Sequence, residues 1–153
     1  MSTGNRSYTT RRSGIITAIS DLLKTINGTG EFLTNLYDNV EPRLLFWDEV
    51  TDFPAVHINA GQETRLYQGG GYKDRFLSIT LRCYVNEENA QEALAALLED
   101  VETVLEDNSP GLTFKNRKGK SENIHQITIL NIDTDEGVLE PLGVGEMNIE
   151  VRY

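Results

Sequence analysis

Between Arg75 and Val85 the chain alternates strictly: Leu77, Ile79, Leu81, Cys83 and Val85 are separated by Ser78, Thr80, Arg82 and Tyr84. A period of two puts the five odd positions on one face of a strand, and that face must be buried. The pattern then changes. From Glu87 to Glu106 the apolar residues are Ala90, Ala93, Leu94, Leu97, Leu98, Val101, Val104 and Leu105, spaced for one stripe of a helix. Asn86 is a capping residue type, and Glu87, Glu88 and Glu92 suit a positive helix N-terminus. A strand over 75–85 leading into a helix over 87–106 therefore sets the core.

A second helix is predicted from Ser13, because Ile15, Ile16, Ile19, Leu22, Leu23 and Ile26 recur at spacings of three and four. Asn27-Gly28 offers a left-handed stop. Residues 28–52 read as a loop with some extended structure, interrupted by Pro42. Phe53 to Asn59 reads as a strand, Gly61 as a turn, and Glu63 to Tyr67 as a further extended piece. Gly69-Gly70-Gly71 is a flexible turn; no Lys-Ser/Thr or helix follows, as a phosphate loop would require. Pro110-Gly111 ends the second helix region. Leu112 to Phe114 and Ile124 to Ile132 flank KNRKGKSEN, which predicts a long hairpin with an exposed tip. The chain closes on GEMNIEVRY, with Met147, Ile149, Val151 and Tyr153 on one face of a strand.

Helices segregated from hairpin-linked strands indicate an α+β fold: a mainly antiparallel sheet with two helices packed on it and a protruding hairpin. With 153 residues and no internal repeat, the expected organisation is a flexible arm over 1–12 and one domain over 13–153. No apolar run approaches the roughly 18 residues of a membrane span, so no membrane is expected as a partner. The polar stretch from Met1 to Arg12 lacks the core of a secretory signal. The lone Cys83 forms no internal disulfide, reads as a small core residue, and fits a reducing compartment.

The chemistry sought is not found. There is no Gly-x-Ser-x-Gly, His-Glu-x-x-His or Cys-x-x-Cys, so no catalytic residue is assigned. Two histidines, His57 and His125, do not make a zinc site; His57 reads as an oriented structural residue and His125 as exposed. Asp133, Asp135 and Glu136 are the best acidic cluster, yet they lack a calcium-loop pattern and read as turn residues. Phe46, Trp47 and Phe53 are read as core packing before a ligand pocket. Neither cofactor nor metal is expected.

Charge narrows the partners. Fourteen Lys and Arg oppose 24 Asp and Glu, a net charge of −10, which argues against wrapping nucleic acid. The balance is uneven: no Lys or Arg occurs between Asn86 and Asn108, whereas Lys115, Arg117, Lys118 and Lys120 fall within six residues. Glu102 and Glu106 lie at the negative end of their helix, at a cost of a few tenths of a kcal/mol each. Charge alone favours a solvated helix face and an ordinary polar hairpin tip; the alternative is that the tip meets an acidic surface, such as the face with Glu99, Glu102 and Glu106, on a neighbouring copy or on a stacked neck or tube ring.

Three stretches carry a family resemblance: LLFWDEVTDFPAVHINAG at 44–61, GGGYKDRFLSITLRCYV at 69–85 and TDEGVLEPLGVGEMNIEVRY at 134–153. Together they resemble the tail terminator, or tail completion, proteins of tailed bacteriophages. The resemblance implies a hexameric ring that caps the tail tube and faces the head connector, with no active site to transfer. It implies as partners other copies of the chain, the tail tube protein, neck proteins and, in a contractile tail, the sheath. DNA would pass through the lumen without sequence-specific binding. The expected location is the tail–head junction of the virion, after synthesis in the host cytoplasm. Alternatives are another neck or tube ring protein, a small enzyme built on Asp133, Asp135 and Glu136, or a ligand-binding module built on the Trp47 aromatics.

Overall fold

The computed structural model describes residues 9–109 and 111–153, and of Trp47 the backbone alone. Helix α1 (Arg11–Leu23) begins two residues earlier than its apolar stripe suggests, because the Thr10 hydroxyl accepts from the Ser13 N–H at 3.1 Å and caps it. The expected arm is thus helical at Arg11 and Arg12, and its first eight residues lie outside the described ones. After α1, two turns carry the chain to Ile26, where the Leu36 N–H donates to the Ile26 carbonyl and returns the following loop to the core. Gly28, at φ 77°, supplies the left-handed turn beyond them.

Strand β1 (Val40–Glu41) lies parallel to β2 (Ala55–Tyr67); β3 (Lys73–Asn86), β7 (Leu142–Arg152) and β6 (Gln126–Thr134) follow antiparallel in the order β1-β2-β3-β7-β6. Two features depart from the sequence reading. The extended pieces expected at 53–59 and 63–67 are one strand that starts only at Ala55, after a bend at Phe53-Pro54, and is continuous through a bulge between Ala60 and Glu63, so Gly61 sits in an irregularity of the ladder rather than a turn. Asn86 does not cap a helix: it pairs with Leu142 as the last residue of β3, and helix α2 (Ala90–Asp107) starts behind Asn89. Sheet pairing with β7 outcompetes the cap, leaving Glu87 and Glu88 in the connection.

The alternation in β3 and β7 is realised. Leu77, Ile79, Leu81, Cys83 and Val85 are buried beside Met147, Ile149, Val151 and Tyr153, under the two helices. Gly143 and Gly145 let α2 approach β7: a Cβ on Gly145 would press on Leu94 and Leu98, and one on Gly143 on Val85 and Ala90. The opposite face of the sheet is polar. There Arg82 pairs with Glu146 at 3.5 Å, and the Thr80 hydroxyl donates to Asn148 at 3.0 Å.

The hairpin is present but short. Strands β4 (Thr113–Lys115) and β5 (Ser121–Asn123) form a separate two-stranded sheet, whereas β6, expected as its return arm, joins the main sheet. The switch occurs at His125, whose N–H donates to the Arg152 carbonyl at 2.7 Å. The expected stop at Pro110 lies outside the described residues.

Candidate assembly interface

The basic tip is a built turn. The Asn116 side-chain oxygen accepts from the N–H groups of Lys118 (2.9 Å) and Lys120 (3.1 Å), while Gly119 takes φ 75°. This exposes Arg117, Lys118 and Lys120; Lys115 donates to the Ser121 hydroxyl at 2.8 Å. The hairpin is held against α1 by Phe114, which is buried edge-on to the Tyr153 ring at 5.8 Å, and by the ion pair Arg11–Glu122. Gly14 makes the approach possible, since a Cβ there would run into the Lys115 carbonyl.

Glu99, Glu102 and Glu106 share one face of α2 and line a shallow groove with Ala95, Leu98 and Thr103. Partial burial holds the Glu102 carboxyl above its usual range, and its neighbours Glu106 and Glu99 add to the effect. Among the described residues, no salt bridge involves these three acids or the four bases of the tip. Within one chain the two charged patches are not brought together, and each is left to a partner or to solvent.

The other residues singled out in the sequence have local tasks. Burial pushes the Cys83 thiol up to about 12, which makes it inert. His57 is buried, packs against Tyr84 with the rings tilted by 57° and their centroids 5.0 Å apart, and accepts from the Leu45 N–H at 3.4 Å. Asp135 accepts from the N–H groups of Leu139 and Val144, so its carboxylate organises the turn before β7. Among the described residues no three His, Cys, Asp or Glu side chains converge as a metal site would require. Phe46 departs from the expectation of core packing: it is 75% exposed, because the turn at Trp47–Glu49 carries it outward. The side chain of Trp47 lies outside what is described.

Among the described residues, the basic tip and the acidic α2 face are the two charged patches that make no ion pair within the subunit. The family profile described as Bacteriophage Tail Tube Terminator Protein matches residues 9–153. The chain belongs to that family. Among tail tube terminators, protein p142 of Escherichia phage T5 is 32% identical over 150 residues, which span 93% of this chain and 92% of that one. A chain from the virion of a native gene transfer agent particle matches with a TM-score of 0.52 and 9% identity, over 92% of this chain and 95% of its own, a likeness of fold alone. A tail terminator is a structural protein of the phage virion.

Two features escaped the sequence reading. Asp100, not singled out there, is buried in this terminator and accepts from the N–H groups of Leu33 and Thr34 and from the Thr34 hydroxyl. It clamps the 33–34 loop to α2. The second is the β2–β3 turn, where Leu66, Tyr67 and Tyr72 are all exposed beyond the helices. Exposed aromatics at a glycine turn were the available signal.

Proposed function

We propose that this tail terminator assembles as a hexameric ring that caps the tail tube and joins it to the head connector or neck. The observation that carries the reading is the likeness to the phage T5 tail tube terminator along nearly the whole of both chains. The ring reading is supported by two opposite charged patches that make no ion pair among the described residues: Lys115, Arg117, Lys118 and Lys120 on the hairpin, and Glu99, Glu102 and Glu106 on α2. In a heterologous ring the first patch of one copy meets the second of the next. The partners are then other copies, the tail tube protein, neck proteins and, if the tail is contractile, the sheath. The subunit is made in the host cytoplasm and ends at the tail–head junction. It acts without cofactor or catalysis, and its net charge of −10 lets DNA pass through the lumen without sequence-specific binding.

Mass in solution and imaging test this. Six-fold rings with six times the mass of the 17.2 kDa chain, or a ring at the head end of the tube in virions, are expected. A chain that remains monomeric at all concentrations and is absent from isolated tails would overturn the proposal.

A further inference from the structure

The antiparallel pair β2–β3 has two unlike ends. At one end the glycine turn carries Tyr67 and Tyr72, 72% and 75% exposed, with the Lys73 ammonium 5.6 Å from the centre of the Tyr67 ring. At the other end a cleft of about 460 Å³ opens between the loop at 33–37, the bend at Phe53-Pro54 and the first turns of α2. Leu33 and Tyr37, 65% and 69% exposed, form its apolar rim; Glu87 and Glu92 supply charge, and among the described residues no Lys or Arg lines it. The Asn89 side chain, at the helix cap, makes no capping bond there.

We propose that the β2–β3 tip of one copy docks into this cleft of the next copy. The two surfaces complement each other: an aromatic tip with an ammonium group meets an apolar cleft edged by carboxylates. They cannot meet within one chain, because β3 separates them by about 40 Å at 3.3 Å per residue. A contact between opposite ends of a subunit is heterologous, the class that closes into rings. The tip is also suited to copies that repel each other at a net charge of −10. Arg65 is paired with Glu63, so it is the exposed Lys73 ammonium, over the Tyr67 ring, that brings positive charge to an acidic neighbour. The inference rests on the ring reading and adds to it a specific joint, separate from the basic tip at 115–120.

Cross-linking the purified full chain tests the joint. Tyr72→Cys and Glu92→Cys both lie on exposed positions, and the native Cys83 is buried, so a short bis-maleimide reports the introduced pair. Mixing the two single variants should yield covalent dimers, and the double variant a ladder reaching six chains. Lys73→Glu and Glu92→Lys should each weaken association about three- to five-fold, and their combination should restore it. If the mixture stays uncoupled while an amine-reactive reagent fixes oligomers in the same sample, the ring stands and the docking is overturned. If neither reagent gives oligomers and sedimentation shows monomers, both readings fall. Coupling of Tyr72→Cys in assembled tails to the tail tube protein instead of a second copy would also overturn the docking.

Discussion

Asp100 shows what one residue contributes and why it was hidden. Its carboxylate holds two backbone N–H groups and a hydroxyl with Thr34 N–H at 2.7 Å, all at a site that is 3% exposed. Hydrogen bonds to a charged acceptor contribute about 1.5–3 kcal/mol each, and truncation leaves buried donors unpaired. Asp100→Ala should therefore lower stability by about 3 kcal/mol in denaturant titration, with Asp100→Asn intermediate. On the sequence Asp100 looked like its exposed neighbours, because a buried acid is recognised by its partners, and these lie 66 and 67 positions away. Cys83 was legible for the opposite reason: a period of two needs no knowledge of distant chain. His57 gives a pH signature. Burial holds its imidazole below the ordinary value, Glu41 opposes this, and Arg82 reinforces it. The unfolded chain therefore takes up the proton first, so the stability it contributes is full above about pH 6.5 and is lost as the pH falls toward the folded value. The melting temperature should drop between pH 7 and 5.5, and drop less in His57→Gln, whose amide still accepts the Leu45 N–H.

At the scale of elements, the alternating strands were readable and the boundaries were not. Residues 75–85 and 147–153 have their predicted faces because each contributes a continuous apolar row to the same core. The start of α2 was misplaced because Asn86 and Asn89 are both capping types, and only the pairing of Asn86 with Leu142 decides between them. Two predictions concern the joints. Deleting Glu150 to Tyr153 removes Val151 and Tyr153 from the core; at about 1.5–3 kcal/mol per large side chain, a loss of about 3–6 kcal/mol is expected in thermal or denaturant melts. Gly14→Ala should also destabilise, although alanine favours helices by about 1 kcal/mol over glycine. Its methyl must displace the Lys115 carbonyl, an overpacking cost of about 1–3 kcal/mol, and limited proteolysis should then cut within 111–123. In the sequence Gly14 showed only a helix penalty; the hairpin packed on it was invisible.

For the whole molecule, the α+β architecture followed from segregated helix and strand periods, and the basic segment was recognisable as a hairpin. What the pattern could not supply was which surfaces remain unpaired once the chain folds, since that depends on every packing choice at once. Replacing Lys115, Arg117, Lys118 and Lys120 together by Ser should leave the subunit's melting temperature within a few degrees of the parent, because exposed charges contribute about 0–1 kcal/mol each. It should weaken ring assembly and flatten its salt dependence, read by sedimentation across an ionic-strength series. Unchanged assembly would make the hairpin a solvated loop. The position of β7 has a separate consequence. It lies between β3 and β6 yet follows every other strand in the chain. While the ribosome is still making it, a nascent subunit holds two strands whose shared neighbour does not exist. Until β7 has emerged, β3 and β6 lack the strand that joins them, and the five-stranded sheet cannot close.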